Sequence, residues 1–272
     1  MWIGLVGSEM CIRDRMTRWV VTDLDGTLLD HNYCWEPARH TMALLQQQGV
    51  LVIPCTSKTA QEVRLFRREA GLCDPFIVEN GGAIYGNNVN GSEWILPLGA
   101  AHSVLRPQLD QLSRELGHEL IALEDLSAEQ GEALTGLRDE ALASAQRREW
   151  SVPFLTPPEE LREPVRQLAA EHQLLVVQGN RMSHLLSAGS HKGRAVEQLK
   201  NHLQQGAVEV LGLGDSPNDL PMLEAADQAV VVPGAQGPHP VFNEAIASGR
   251  FQLAPAPHGE GWALAVTAWL AS

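Results

Sequence analysis

The chain has 272 residues, 44% of them hydrophobic, and a formal net charge of −13. That length and composition allow one large or two moderate globular units, each able to bury a core. The acidic balance argues against nucleic acid or an anionic membrane surface as a partner, because phosphate groups are gathered by an excess of lysine and arginine.

In chain order, the first feature is "VGSEMCIRDR", which resembles translated sequencing-adapter read-through. Residues 1–15 are therefore expected to be a non-native leader and Met16 the natural start. From Trp19 the pattern alternates. "RWVVTDL" reads as a strand, "EPARHTMALLQQQG" as a helix ending at Gly49, "VLVIPCT" as a strand and "KTAQEVRLFRREAG" as a helix ending at Gly71. "PFIVENGGAIY" follows as a third strand entering a glycine-rich turn, and "GNNVNGSEWILPLG" reads as a hairpin around Asn90 and Gly91. Short apolar runs separated by amphipathic helices predict a parallel sheet covered on both faces.

The rhythm changes between Ala101 and Leu186, where polar helices ("SVLRPQLDQLSREL", "EALASAQRRE") meet short strands ("LLVVQ", "SHLL"). It then returns with "KGRAVEQLKNHL", "VEVLGLGD", "DLPMLEAA", "QAVVVP" and a last helix near "GWALAVTAWLA". The prediction is an α/β fold: a doubly wound, Rossmann-like core from 16–100 and 187–272, interrupted by an α+β cap over 101–186. No apolar run approaches the roughly 18 residues of a membrane span. The four cysteines form no CxxC pair, so reduced thiols and a cytoplasmic location are expected. Nothing in the sequence sets an oligomeric state.

Ligands of open parallel sheets sit beyond the carboxyl ends of the strands. Four polar clusters occupy such places: Asp23, Asp25 and Thr27; Thr56, Ser57 and Lys58; Lys192 at a helix start; and Asp215, Asn218 and Asp219. Two carboxylates about 4 Å apart repel by about 4 kcal/mol at an effective dielectric of about 20, so a cation is expected beside Asp23 and Asp25. A hard dication such as Mg²⁺ would also quench the charge of a phosphoryl group.

Taken in order, "DLDGTLL", the threonine of "CTSKT", the lysine of "SHKG" and the acidic "GDSPND" resemble the four motifs of the haloacid dehalogenase superfamily of phosphohydrolases. "GLGDSP" is no dinucleotide fingerprint, since Pro217 holds the sixth position, and no GxxxxGK[ST] loop exists. Under the resemblance, Asp23 attacks phosphorus, forming an aspartyl phosphate. Asp25, two residues on and on the same side of an extended segment, is the general acid and base. Thr56 and Lys192 hold the transferring group. The implied metal ligands are the Asp23 side chain, the Asp25 carbonyl and Asp215, with Asp219 and Asn218 supporting them, Asp219 directly from behind or through water.

Longer stretches, "TDLDGTLLDHNYCWEPA", "CTSKTAQEV", "ENGGAIY", "ALTGLRDEALASAQRREWSVPF" and "QGNRMSHL", resemble the mannosyl-3-phosphoglycerate phosphatase family. That resemblance implies Mg²⁺-dependent hydrolysis of 2-O-mannosyl-3-phosphoglycerate to mannosylglycerate and phosphate. Glucosyl-3-phosphoglycerate or another sugar phosphate is the alternative substrate, and a phosphosugar mutase the alternative reaction. Arg181 suits a bidentate grip on the glycerate carboxylate, and His184 a hydrogen bond to a sugar or carboxylate oxygen. Lys58 has two readings, the substrate carboxylate or a pair with Glu79. Glu79 and Asn80 are read as holding the motif loops or touching substrate. Asn180 stands where the family shows a glycine, and asparagine tolerates positive φ. His31, His191, His239 and His258 lack metal-ligand spacing and are read as structural or surface residues.

Overall fold

The computed structural model describes residues 17–179, 181–203 and 206–272. The expected leader 1–15, the start at Met16 and the reading of Asn180 lie outside these residues. The first elements are β1 (Thr17–Thr22), α1 (Arg39–Gln47), β2 (Leu51–Pro54), α2 (Ala60–Ala70), β3 (Phe76–Val78), β4 (Ala83–Asn87) and β5 (Glu93–Pro97). Next come α3 (His102–Leu116), α4 (Ala128–Thr135), α5 (Asp139–Gln146), β6 (Val152–Phe154), α6 (Glu159–Glu171), β7 (Leu174–Gln178) and β8 (Ser183–Ser187). The chain then runs through α7 (Lys192–Leu203), β9 (Val208–Gly214), α8 (Leu220–Glu224), β10 (Gln228–Val231), α9 (Asn243–Ala247), β11 (Gln252–Leu253) and α10 (His258–Leu270).

A five-stranded sheet in the order β11-β10-β9-β1-β2 is parallel throughout. Its strands are apolar on both faces because helices cover both. Val20, Val52, Leu211 and Val230 pack with Met42, Phe66, Trp262 and Val266 of α1, α2 and α10. Trp19, Val21, Ile53 and Val231 pack on the other side with Val196 and Leu199 of α7 and Met222 of α8. Local chemistry sets the helix ends. Thr59 and Glu62 form a capping box at the start of α2, and Gly71 closes it in the left-handed conformation. Thr22 is level with Pro54 and with Leu213, so the residues that follow β1, β2 and β9 emerge side by side.

The third predicted strand does not extend this sheet. β3 touches β2 through a single bridge, Cys55 to Ile77, and pairs antiparallel with β4, which pairs in turn with β5. The cause is local. Glu79, Asn80 and Gly81 all have positive φ (48°, 59° and 93°), and this tight turn sends the chain straight back along β3.

Between α3 and β8 a separate three-stranded antiparallel sheet, β6-β8-β7, packs its apolar side against α3 and α6. Leu105, Leu109, Phe154, Val165 and Leu185 form a core of their own there. Among the described residues no helix is long and apolar enough to cross a membrane.

Candidate active site

Asp23 leaves the tip of β1 with its backbone N–H donated to the Leu213 carbonyl (2.9 Å), which fixes the side chain between β1 and β9. Lys192, the first residue of α7, is fully buried. Its ammonium donates to Asp23 Oδ1 (2.7 Å) and to Asp219 Oδ1 (2.6 Å). The other oxygen of Asp219 accepts from the backbone N–H groups of Asp215 (3.0 Å) and Ser216 (2.9 Å). Asp219 thus spends both oxygens on positioning Lys192 and the 215–216 loop. Burial raises the Asp23 carboxyl to about 7; Lys192 pulls it down and Asp219 pushes it further up. Burial also works against the Lys192 ammonium, but Asp219 and Asp23 outweigh it and hold its pKa above the usual lysine range.

Asp25 follows in a tight loop in which the Leu24 carbonyl accepts from Leu28 N–H (3.0 Å) and Leu29 N–H (2.8 Å). Its Oδ2 pairs with Lys58 (2.8 Å), while Oδ1 is buried without a hydrogen-bond partner. Thr27 Oγ1 donates to Asp215 Oδ1 (2.8 Å). Carboxylate oxygens of Asp23, Asp215 and Asp219 lie within 4.8 Å of one another. Thr56 is fully buried behind this group, and its hydroxyl accepts from Lys58 N–H (3.3 Å).

A cavity of about 420 Å³ opens over these residues. Asp23, Asp25, Lys58, Asp215, Arg181 and His184 line it, whereas Thr56, Lys192 and Asp219 form no part of its wall. Arg181 donates to the Thr135 carbonyl and to Tyr33 Oη (3.3 Å). His184 is buried in β8 with Nδ1 unpartnered.

One expectation needs correction. Lys58 does not pair with Glu79: its ammonium sits between Asp25 and Glu62, the latter at 3.6 Å. Glu79 instead accepts from Glu149 N–H (2.9 Å), Trp150 N–H (3.1 Å) and Ser151 Oγ (2.6 Å), and so ties the end of β3 to the segment before β6. Of the histidines read as structural or surface residues, His31, His239 and His258 line the cavity. His258 Nδ1 lies 2.8 Å from the Gly26 carbonyl.

Sequence reasoning assigned no role to Arg148, which lines the same cavity and donates to the Ser57 carbonyl (2.5 Å). The signal available was its place in "RREWSVPF", a tract the core fold does not require.

The chain matches the haloacid dehalogenase-like hydrolase family over residues 20–97 and 143–240. It belongs to that family. A glucosyl-3-phosphoglycerate/mannosyl-3-phosphoglycerate phosphatase of Persephonella marina is 31% identical, over 79% of this chain and 84% of its own. One of the same description from Methanococcoides burtonii is 33% identical, over 82% and 87%. A solved structure from Thermoplasma acidophilum shares the fold with a TM-score of 0.70 at 22% identity, covering 95% of this chain and 100% of its own. Family and relatives together make the protein a phosphatase.

Haloacid dehalogenase-like phosphatases work with Mg²⁺, and the donor set here suits it. Hard carboxylate oxygens converge, and Gly26 leaves room for them: a Cβ at that position would lie 2.5 Å from Asp215 Oδ2, on a backbone with φ +91°. Gly26→Ala is therefore expected to displace Asp215. The Mg²⁺ concentration for half-maximal activity should rise by about 10–100-fold, the usual scale when a ligand's support is lost. Titration of activity with Mg²⁺ measures it, and an unchanged midpoint would contradict the placement of Asp215.

Burial, reinforced by the charges of Arg148 and Lys192, lowers the His184 pKa to about 3. The unfolded chain, with an ordinary histidine, binds the proton more readily between about pH 6.5 and 3. Stability from this group is therefore complete above the unfolded pKa and is lost as pH falls, by at most about 5 kcal/mol. Urea midpoints at pH 7 and pH 4 should differ more in the native protein than in His184→Gln. Parallel shifts would show that the ring protonates freely in the fold.

Proposed function

We propose that the protein hydrolyses 2-O-mannosyl-3-phosphoglycerate to mannosylglycerate and phosphate. The observation that carries the reading is the strand-tip carboxylate Asp23, gripped by a fully buried lysine and facing a cavity whose wall carries Lys58, Arg148 and Arg181. An ester with both a phosphate and a carboxylate needs more than one positive group, and the cavity wall offers Lys58, Arg148 and Arg181.

In this reading an Asp23 oxygen attacks phosphorus, the ester oxygen leaves, and an aspartyl phosphate forms on Asp23. Asp25 gives a proton to the leaving oxygen and then takes one from the water that hydrolyses the acyl phosphate. Its Oδ2 is held in place by Lys58 at 2.8 Å. Lys192 works against the effect of burial on the Asp23 carboxyl and holds that side chain in place. Asp23, the Asp25 carbonyl and Asp215 would hold Mg²⁺, which when bound supplies positive charge to the phosphoryl oxygens. Asp219 and Asn218 support from behind, and Thr56 holds the turn that presents Lys58.

Arg181 is assigned to the glycerate carboxylate and His184, neutral at pH 7, to a sugar or carboxylate oxygen. Residues 101–186 are read as the cap that selects the substrate and excludes water. A cytoplasmic location fits the free Cys34, Cys55 and Cys73. Because both relatives carry both sugar names, the glucosyl ester is the second substrate to test.

Phosphate release from the two esters should be measured side by side, with and without Mg²⁺, against sugar monophosphates lacking the glycerate. Preference for the glycerate esters and dependence on Mg²⁺ are expected. Equally poor rates on all would overturn the substrate assignment. In ¹⁸O-labelled water a hydrolase places solvent oxygen in the released phosphate, whereas a phosphosugar mutase returns the group to sugar.

A further inference from the structure

A second cavity, of about 430 Å³, lies between the cap-side elements α6 and β7 and the core residues around the starts of α7 and α8. Its composition is unusual for a chain with 33 aspartates and glutamates: none of its described lining residues is acidic. Arg162 and Arg166, one turn apart on α6, project from one side. Arg162 donates one bond to the Pro157 carbonyl (3.2 Å) and has no carboxylate partner among the described residues. Arg166 reaches only an exposed Glu163, at 3.6 Å.

The opposite wall supplies donors as well. Asn80 is almost wholly buried, its Oδ1 accepts from Asn218 Nδ2 (2.8 Å), and its own Nδ2 has no partner. A buried amide N–H without a partner is unfavourable, so a group that accepts from it is called for. Gln178, at the end of β7, adds an amide. The Nδ1 of His191 accepts from Arg194 N–H (3.2 Å), so the neutral ring keeps its proton on Nε2 as a further donor. The Lys192 ammonium is engaged with Asp23 and Asp219 and takes no part.

We infer that this cavity binds a small oxyanion, a phosphate or a carboxylate, held by the Arg162 and Arg166 guanidinium groups and the Asn80 and Gln178 amides. Guanidinium forks and unpartnered amides recognise oxyanion edges, and the absence of lining carboxylates removes the repulsion that would expel one. The site is separate from the aspartate cluster and needs no metal. It meets the first cavity at Asn218 and His239, which border both.

The test is calorimetric titration of the full chain, with EDTA present, using inorganic phosphate in one arm and glycerate in the other. The first variant is Arg162→Gln/Arg166→Gln. The second, Gln178→Glu, keeps both arginines and places an anion in the wall with little change of shape. Arg181→Gln reports on the first cavity, and melting curves verify that each variant folds. Binding of either anion that weakens at least tenfold in the first two variants and stays unchanged in Arg181→Gln is the expected result, and the stronger arm identifies the class. Absence of binding in both arms, or weakening that follows Arg181 alone, overturns the site. Neither outcome depends on which ester the enzyme hydrolyses.

Discussion

Asp23→Asn is expected to abolish phosphate release, lowering kcat by about four orders of magnitude or more, the scale on which loss of a nucleophile acts. The change is nearly isosteric. The asparagine oxygen can still accept from Lys192, which keeps Asp219 as its charged partner at 2.6 Å, so the fold should survive with a melting temperature close to the native one. The measurement is phosphate release over long incubations, alongside thermal melting. A folded Asp23→Asn protein that retains most of its activity would remove Asp23 from the chemistry and the whole reaction scheme with it.

Lys192→Met is expected to have the largest effect on stability. Lys192 is fully buried between Asp23 and Asp219, and its removal strands two carboxylates in apolar surroundings. Breaking such a buried pair costs about 3–5 kcal/mol, because the remaining charges lose their compensation. The urea midpoint at pH 7 should fall accordingly. Lys192→Met/Asp219→Asn, which removes one of the stranded charges, should regain part of the loss. If the double variant is no more stable than the single one, repulsion between the carboxylates is not the cause. Activity should be lost in both, which separates the structural role of Asp219 from the need for the ammonium.

The positions of Asp23, Thr56 and Asp215 were legible because a parallel strand buried on both faces is a short apolar run, and the first polar residues after it sit at its tip. The alternation of Trp19, Val20 and Val21 between two core faces follows from the same period-2 geometry. The placement of β3 was not legible. "FIV" looks the same whether it pairs in parallel or antiparallel, and the reversal depends on three consecutive positive φ values at Glu79, Asn80 and Gly81, of which the one at glutamate is not announced by residue type. Arg148 was hidden for another reason. It meets the Ser57 carbonyl across 91 residues of chain, and only the folding of α5 against α2 brings it there. The Lys58 partner was misread because Asp25 competes with Glu79, and the three amide and hydroxyl donors of residues 149–151 satisfy Glu79 without any cation.

That arrangement of Glu79 bears on how distant stretches of the chain are held together. Its carboxylate is fully buried and grips successive groups of the segment that returns from α5 toward β6. Pulling the segment away would leave a desolvated acid with nothing to accept from. The carboxylate therefore acts as a clasp that fastens residues 149–151 to the turn after β3, joining stretches some 70 residues apart in the chain.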